Sequence, residues 1–224
     1  ILKFTRAGKF LMQIGKQNVH GGNEDTKNML QPTGIFVDPS NNEVYVTDGK
    51  HGNHRRVNVF DGATGAYKRM WGAYGNKPED ADPGDYKPSD PPSKHFRYPH
   101  GVELSKDGLV YVADRSNDRV QVFRKDGTFV KEQFIAPKTL YPGSVDDIAF
   151  SEDPAQRYMY VADSMNKRVW ILERSSLQIL GRFGEGGNHG GQFNQPHSIA
   201  TDRSGNIYVT ETLEGKRIQR FLRK

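Results

Sequence analysis

One four-residue pattern, recurring four times, constrains this chain more than any other feature. Tyr45-Val46-Thr47-Asp48, Tyr111-Val112-Ala113-Asp114, Tyr160-Val161-Ala162-Asp163 and Tyr208-Val209-Thr210-Glu211 follow one another at intervals of 66, 49 and 48 residues. After each comes a basic residue with a β-branched one: Arg56-Val57, Arg119-Val120, Arg168-Val169 and Arg217-Ile218. A short apolar run precedes each block, and another follows most of them, so a unit reads as four short strands, a to d. The turns between strands carry Gly, Asn and Asp, as in Lys106-Asp107-Gly108 and Lys125-Asp126-Gly127, where positive φ is easiest. No window sustains a helical period. A four-stranded unit repeated without helices predicts an all-β fold, a β-propeller.

Composition agrees. Of the 224 residues 34% are hydrophobic, enough for a packed core, and no apolar run is long enough to span a membrane as a helix. The absence of Cys excludes disulfides and thiolate metal sites. A net charge of +5 allows anionic partners, but 27 acidic among 59 charged residues make a mixed surface.

The chain divides as one propeller domain over 1–224. Residues 1–15 read as the end of one blade, 30–75, 96–134 and 141–184 as full blades, and 192–224 as a partial blade. The long first interval is explained by a Pro- and Asp-rich insertion at 76–95, a solvated surface segment or a lid over one face. Both ends carry a strand c, giving about four and a half blades. A six-bladed ring of such repeats needs roughly 270 residues or more, so at least one blade's worth of chain is expected before Ile1.

The segment Asp114-Arg115-Ser116-Asn117-Asp118-Arg119-Val120-Gln121-Val122-Phe123 resembles the signature of NHL-repeat propellers. Within that group, three stretches resemble successive blades of the peptidyl-α-hydroxyglycine α-amidating lyases, especially bacterial secreted proteins grouped with them. They are Gln31-Pro32-Thr33-Gly34 with Tyr45 to Gly49, then Tyr98-Pro99-His100-Gly101, then Gln195-Pro196-His197-Ser198. The resemblance implies a six-bladed NHL propeller, a zinc ion held by three His, a structural calcium, and a catalytic Tyr and Arg. It also implies cleavage of a carbinolamide into a peptide amide and glyoxylate, and a secreted or periplasmic location.

Features that differ between blades are candidates for chemistry. The first residue of strand a, beside the central channel, is Thr33, His100, Asp146 and His197 in turn. The two His lie in alternate blades, about 120° apart in a six-fold ring. They would be two of three zinc ligands at about 2.0–2.1 Å, or would line a polar channel without metal. The resemblance places the third in a Pro-His before Ile1. Asp146 is either an oxygen ligand, a partner orienting an imidazole, or a solvated channel residue. The loop from Asp48 to Arg56 is irregular: where the resemblance places a catalytic Tyr stand Lys50 and His51, and His51 is a candidate base near neutral pH. Lys50, His54 and Arg115 are expected on the substrate face. Ser198 replaces the acidic calcium ligand that the resemblance implies, which argues against calcium. The recurring strand-c Arg reads as inter-blade packing.

Three functions fit: a zinc-dependent, lyase-like enzyme acting on a small peptide-like substrate; a non-catalytic scaffold binding a peptide or protein; or an RNA-binding face, against which the modest charge weighs.

Overall fold

The structure is a computed structural model that describes residues 1–49, 54–80 and 82–223. Its strands form five antiparallel sheets in chain order. The first holds β1 (Leu2–Phe4) and β2 (Phe10–Gln13). Three four-stranded blades follow. They are β3 (Pro32–Asp38), β4 (Glu43–Asp48), β5 (Arg56–Asp61) and β6 (Tyr67–Trp71); β7 (Pro99–Leu104), β8 (Leu109–Asp114), β9 (Arg119–Arg124) and β10 (Phe129–Phe134); and β11 (Asp147–Phe150), β12 (Tyr158–Asp163), β13 (Arg168–Glu173) and β14 (Ile179–Phe183). The last sheet holds β15 (Pro196–Thr201), β16 (Ile207–Glu211) and β17 (Ile218–Phe221). Each blade meanders from an inner strand outward, and β3, β7, β11 and β15 stand next to one another in series around the axis.

The Tyr-Val blocks become the second strands, buried on both faces in β4 and β8 and partly so in β12 and β16. Such strands lose the polar alternation of a one-sided sheet, hence the unbroken apolar character of Val110-Tyr111-Val112-Ala113. The apolar side chains form clusters between blades. Tyr45, Val57 and Trp71 meet Val102, Val112 and Phe123 of the next blade. Tyr111, Val120 and Val122 meet Ile148, Val161 and Leu172. Ala162 and Val169 meet Ile199 and Val209. The turn Lys125-Asp126-Gly127 reaches over this interface: Gly127 has φ +93° and lies so close to Trp71 that a Cβ would stand 3.0 Å from the indole, which requires glycine there.

Polar groups close each blade. Asp114 accepts hydrogen bonds from the backbone N–H groups of Arg97 and Tyr98 (3.0 and 3.2 Å) and from Arg119 Nε (2.9 Å), while Arg119 Nη2 donates to the carbonyl of His95. Both side chains are fully buried. The arrangement repeats with Asp48 and Arg56, which hold Gln31 N and the carbonyls of Asn23 and Asn28. It repeats again with Glu211 and Arg217, which hold Asn194, Gln195 and Gln192. The acidic residue ending strand b and the Arg opening strand c thus clamp the segment arriving from the previous blade. The third full blade departs from this: Asp163 takes Trp170 Nε1 (2.8 Å) and Asn166, and Arg168 turns to the carbonyl of Asn166 and stacks on Trp170.

Removing one partner of a buried, hydrogen-bonded ion pair leaves the other charge uncompensated. Arg119→Met is therefore expected to lower stability by about 3–5 kcal/mol, read as the urea midpoint at unchanged slope. Arg168→Met, which leaves Asp163 its hydrogen bonds from Asn166 and Trp170, is expected to cost less.

Candidate functional site at the channel mouth

Three inner strands begin with the same irregularity. The antiparallel register slips by one residue between Pro32 and Gly34, between Pro99 and Gly101, and between Pro196 and Ser198. The extra residue in each bulge is Thr33, His100 or His197, and a bulge re-aims the side chain it carries. Proline ahead of each costs little, because the first residue of a strand can do without its N–H. The bulges also tie blade to blade. Thr33 Oγ1 donates to the carbonyl of Pro99 at 2.6 Å, and His100 Nδ1 lies 2.5 Å from the carbonyl of Asp146. The strands approach closely there: a Cβ on Gly34 would stand 2.9 Å from the carbonyl oxygen of His100.

His100 and His197 come from sheets separated by a whole blade, yet their rings meet with centroids 4.8 Å apart at 76°. A carbonyl oxygen can only accept, so the contact with Asp146 fixes the proton of a neutral His100 on Nδ1 and the lone pair on Nε2. Tyr98 packs edge-on against His100 at 4.9 Å, and the Arg115 guanidinium lies 5.7 Å from the Tyr98 ring.

Asp146 differs from the expectation of a metal ligand or solvated channel residue. Its side chain is fully buried, with Oδ1 2.9 Å from Arg115 Nη2 and 3.1 Å from Ser164 Oγ, and Oδ2 accepting from Ser164 N at 2.8 Å. The carboxylate is committed to the b–c turns; what reaches the imidazole is the backbone carbonyl. Burial raises this carboxyl to about 7, against the opposing pull of Arg115.

Arg115, expected on the substrate face, is mostly buried behind Tyr98, with Nη2 also donating to Ser164 Oγ at 3.0 Å. Its Nε is buried without a hydrogen-bond partner among the described residues. His54 is a correction. It is 1% exposed, with Nε2 donating to the carbonyl of Gly21 at 2.7 Å and Nδ1 beside Asp48 and Arg56. It stands two residues before Arg56, which in extended chain puts both side chains on one side, so His54 joins the clamp. Lys50 and His51 lie outside the described residues. The insertion after Gly75 is anchored by Tyr86 Oη to the carbonyl of Pro137 and by Arg97 Nη2 to that of Pro83. It walls a groove of about 760 Å³ that also takes in Ser116 and Tyr141.

Sequence reading missed the channel below the mouth. Three residues past His100, about 10 Å along the strand, Glu103 interrupts the apolar run. Burial, reinforced by Asp147, pushes its carboxyl up to about 8. Asp147 accepts from Ile199 N (3.0 Å) and Ile148 N (2.9 Å), and burial raises it to about 6. The one legible signal was a lone Glu in Val102-Glu103-Leu104. Among the described residues no group of three or more His, Cys, Asp or Glu is arranged to hold a metal ion.

This fold and its repeats define an NHL-repeat β-propeller. The NHL repeat model matches residues 29–55 and 96–123, and a beta-propeller repeat model matches 183–210. Among curated proteins, peptidyl-glycine alpha-amidating monooxygenase B of Xenopus laevis is 30% identical over 83% of this chain and 20% of its own length. Peptidyl-alpha-hydroxyglycine alpha-amidating lyase 1 of Drosophila melanogaster is 29% identical over 59% of this chain and 26% of its own. NHL repeat-containing protein 3 of Mus musculus is 26% identical over 99% and 58%. The chain thus spans about a fifth of the amidating monooxygenases that it matches. Among solved structures, the virginiamycin B lyase of Staphylococcus aureus superposes with a TM-score of 0.58, covering 100% of this chain and 62% of that one at 16% identity, which shows the fold alone.

Glu103 and Asp147 give the site a pH signature. Both carboxyls ionise less readily folded than unfolded, where Glu and Asp titrate near their ordinary values of about 4. The folded state therefore binds more protons across the interval, and stability falls as pH rises from about 4 toward about 8. Glu103→Gln is expected to flatten the upper part of that decline, read as urea midpoints between pH 5 and pH 8.5, and to be more stable than the wild type at the alkaline end.

Proposed function

We propose that the channel mouth holds a divalent metal, zinc first, through His100 and His197, and that it carries out a lyase-like C–N cleavage on a small peptide-like substrate. The observation that supports this most is the orientation of His100: the Asp146 carbonyl holds the Nδ1 proton and leaves Nε2 as the donor atom, the arrangement by which proteins position metal-ligating imidazoles. Two imidazoles bound at about 2.0–2.1 Å to one tetrahedral ion have ring centroids on the order of 5 Å apart, and here the separation is 4.8 Å. The donor set among the described residues is two nitrogens; a catalytic zinc takes three protein ligands and leaves a position open.

When bound, such an ion would polarise a substrate oxygen or make a bound water acidic. The chain's own residues supply the rest. Tyr98 walls the site beside His100, and Arg115, behind Tyr98 and paired with Asp146, supports that wall. His51, three residues after Asp48 in the sequence, is the candidate base. In the reaction that the curated lyases suggest, the carbinol hydroxyl loses its proton as its C–O bond becomes a carbonyl. The C–N bond breaks, and the nitrogen gains a proton, giving peptide amide and glyoxylate.

Metal analysis of the purified protein tests the site. About one zinc per chain is expected, falling several-fold in His197→Ala. A content below about 0.2 per chain, unchanged in that variant, would overturn the metal reading. Glyoxylate release from a peptidyl-α-hydroxyglycine tests the chemistry separately: release that falls at least about tenfold, or 1.4 kcal/mol, in His51→Ala supports the reading. Zinc without glyoxylate would retain the metal site and discard the lyase reaction.

A further inference from the structure

At the end of the channel away from the two histidines, the four inner strands line an open cavity of about 550 Å³, within the size range of small-molecule sites, about 300–1,000 Å³. Its walls mix hydrocarbon, with Phe36 from β3, Leu104 from β7, Phe150 from β11 and Ile199 from β15, with polar groups such as Ser105 and Gln156. The charged groups at its rim are already matched. Lys125 Nζ reaches Asp38 Oδ2 at 2.5 Å, and Lys106 Nζ lies 3.8 Å from Glu152 Oε2 and donates to the carbonyl of Glu152 at 3.3 Å. Glu103, in the wall, makes no hydrogen bond or ion pair among the described residues. Its charged neighbour is Asp147, of the same sign. A partly buried carboxylate beside another acid, in the wall of a cavity large enough for a ligand, is short of one positive charge.

We infer that this cavity is a second binding site, for a primary ammonium group on an alkyl chain, with Glu103 as its counter-ion. A divalent cation would need six or so oxygen ligands, and the other lining carboxylates, Asp38 and Glu152, already face Lys125 and Lys106. One carboxylate suits an ammonium whose hydrocarbon chain lies along Phe36 and Leu104 while its three N–H donors meet Glu103. The ligand is either a free alkylamine or a lysine side chain of a polypeptide, entering from the face opposite the proposed metal. The inference does not depend on the metal reading.

The test is titration calorimetry of the full chain with three probes: pentylammonium, N-acetyl-lysine-N-methylamide and the neutral pentanol. Saturable binding of an ammonium probe is expected, at least about tenfold tighter than pentanol and at least about tenfold weaker in Glu103→Gln. Binding of pentylammonium alone assigns a free amine; binding of both assigns a lysine side chain. Equal affinity for pentanol, undiminished binding to Glu103→Gln, or no saturation by either ammonium up to about 50 mM would overturn the proposal. The wild-type comparison of charged with neutral probe decides the matter without the variant, should Glu103→Gln fail to fold.

Discussion

The structure depends on a buried salt bridge repeated around the ring. A β-propeller must hold each sheet against the next and also fix the segment that steps from the rim of one blade to the axis of the next. Hydrophobic burial accomplishes the first, through clusters such as Tyr45, Trp71, Val112 and Phe123. It cannot fix the irregular connection, whose backbone polar groups need partners. The carboxylate at the end of strand b accepts the N–H groups entering the inner strand of its own blade, and the guanidinium of strand c takes the carbonyls behind them. Because both charges are out of water, each tolerates burial only through the other and through those backbone groups. This geometry sets where β3, β7 and β15 begin, and with them the position of the channel mouth.

The mouth inherits its chemistry from that constraint. Clamping the incoming chain while the ladder continues leaves one residue too many at the start of three inner strands, and the surplus becomes a bulge. In one blade the bulged residue is Thr33, which only ties blade to blade; in two it is histidine. The same position therefore serves architecture and site together. The contact between His100 Nδ1 and the Asp146 carbonyl joins adjacent blades and selects a tautomer. A group that fastens the scaffold and also orients a reactive side chain cannot be changed for one purpose without affecting the other.

Much of this was readable in advance. The spaced Tyr-Val blocks specified blades because a strand flanked by two sheets must be apolar throughout. The recurrent Arg was recognisable as structural because it appears in each block. The equivalence of Thr33, His100, Asp146 and His197 also followed from alignment of repeats. The errors came where repeats were read as uniform. Asp146 sits in the one full blade whose inner strand starts without a bulge, so its side chain turns inward to Arg115 and Ser164. His54 shares a side with Arg56 and was absorbed by the clamp. Glu103 was passed over because one polar residue in an apolar strand carries no sign of what it will face.

By itself, then, the sequence determined the number and kind of strands, their order, the polar residues that end them and the residues at which blades differ. These are local properties, written in a period of two and in turn chemistry. Only the tertiary structure decided which of those residues meet. The 4.8 Å approach of two imidazoles 97 positions apart follows from the angle between sheets and from where each bulge turns a side chain, and so do the burial of Asp146 and the want of a partner for the Glu103 side chain among the described residues. Such properties belong to the packing of blades around an axis, which no single repeat encodes.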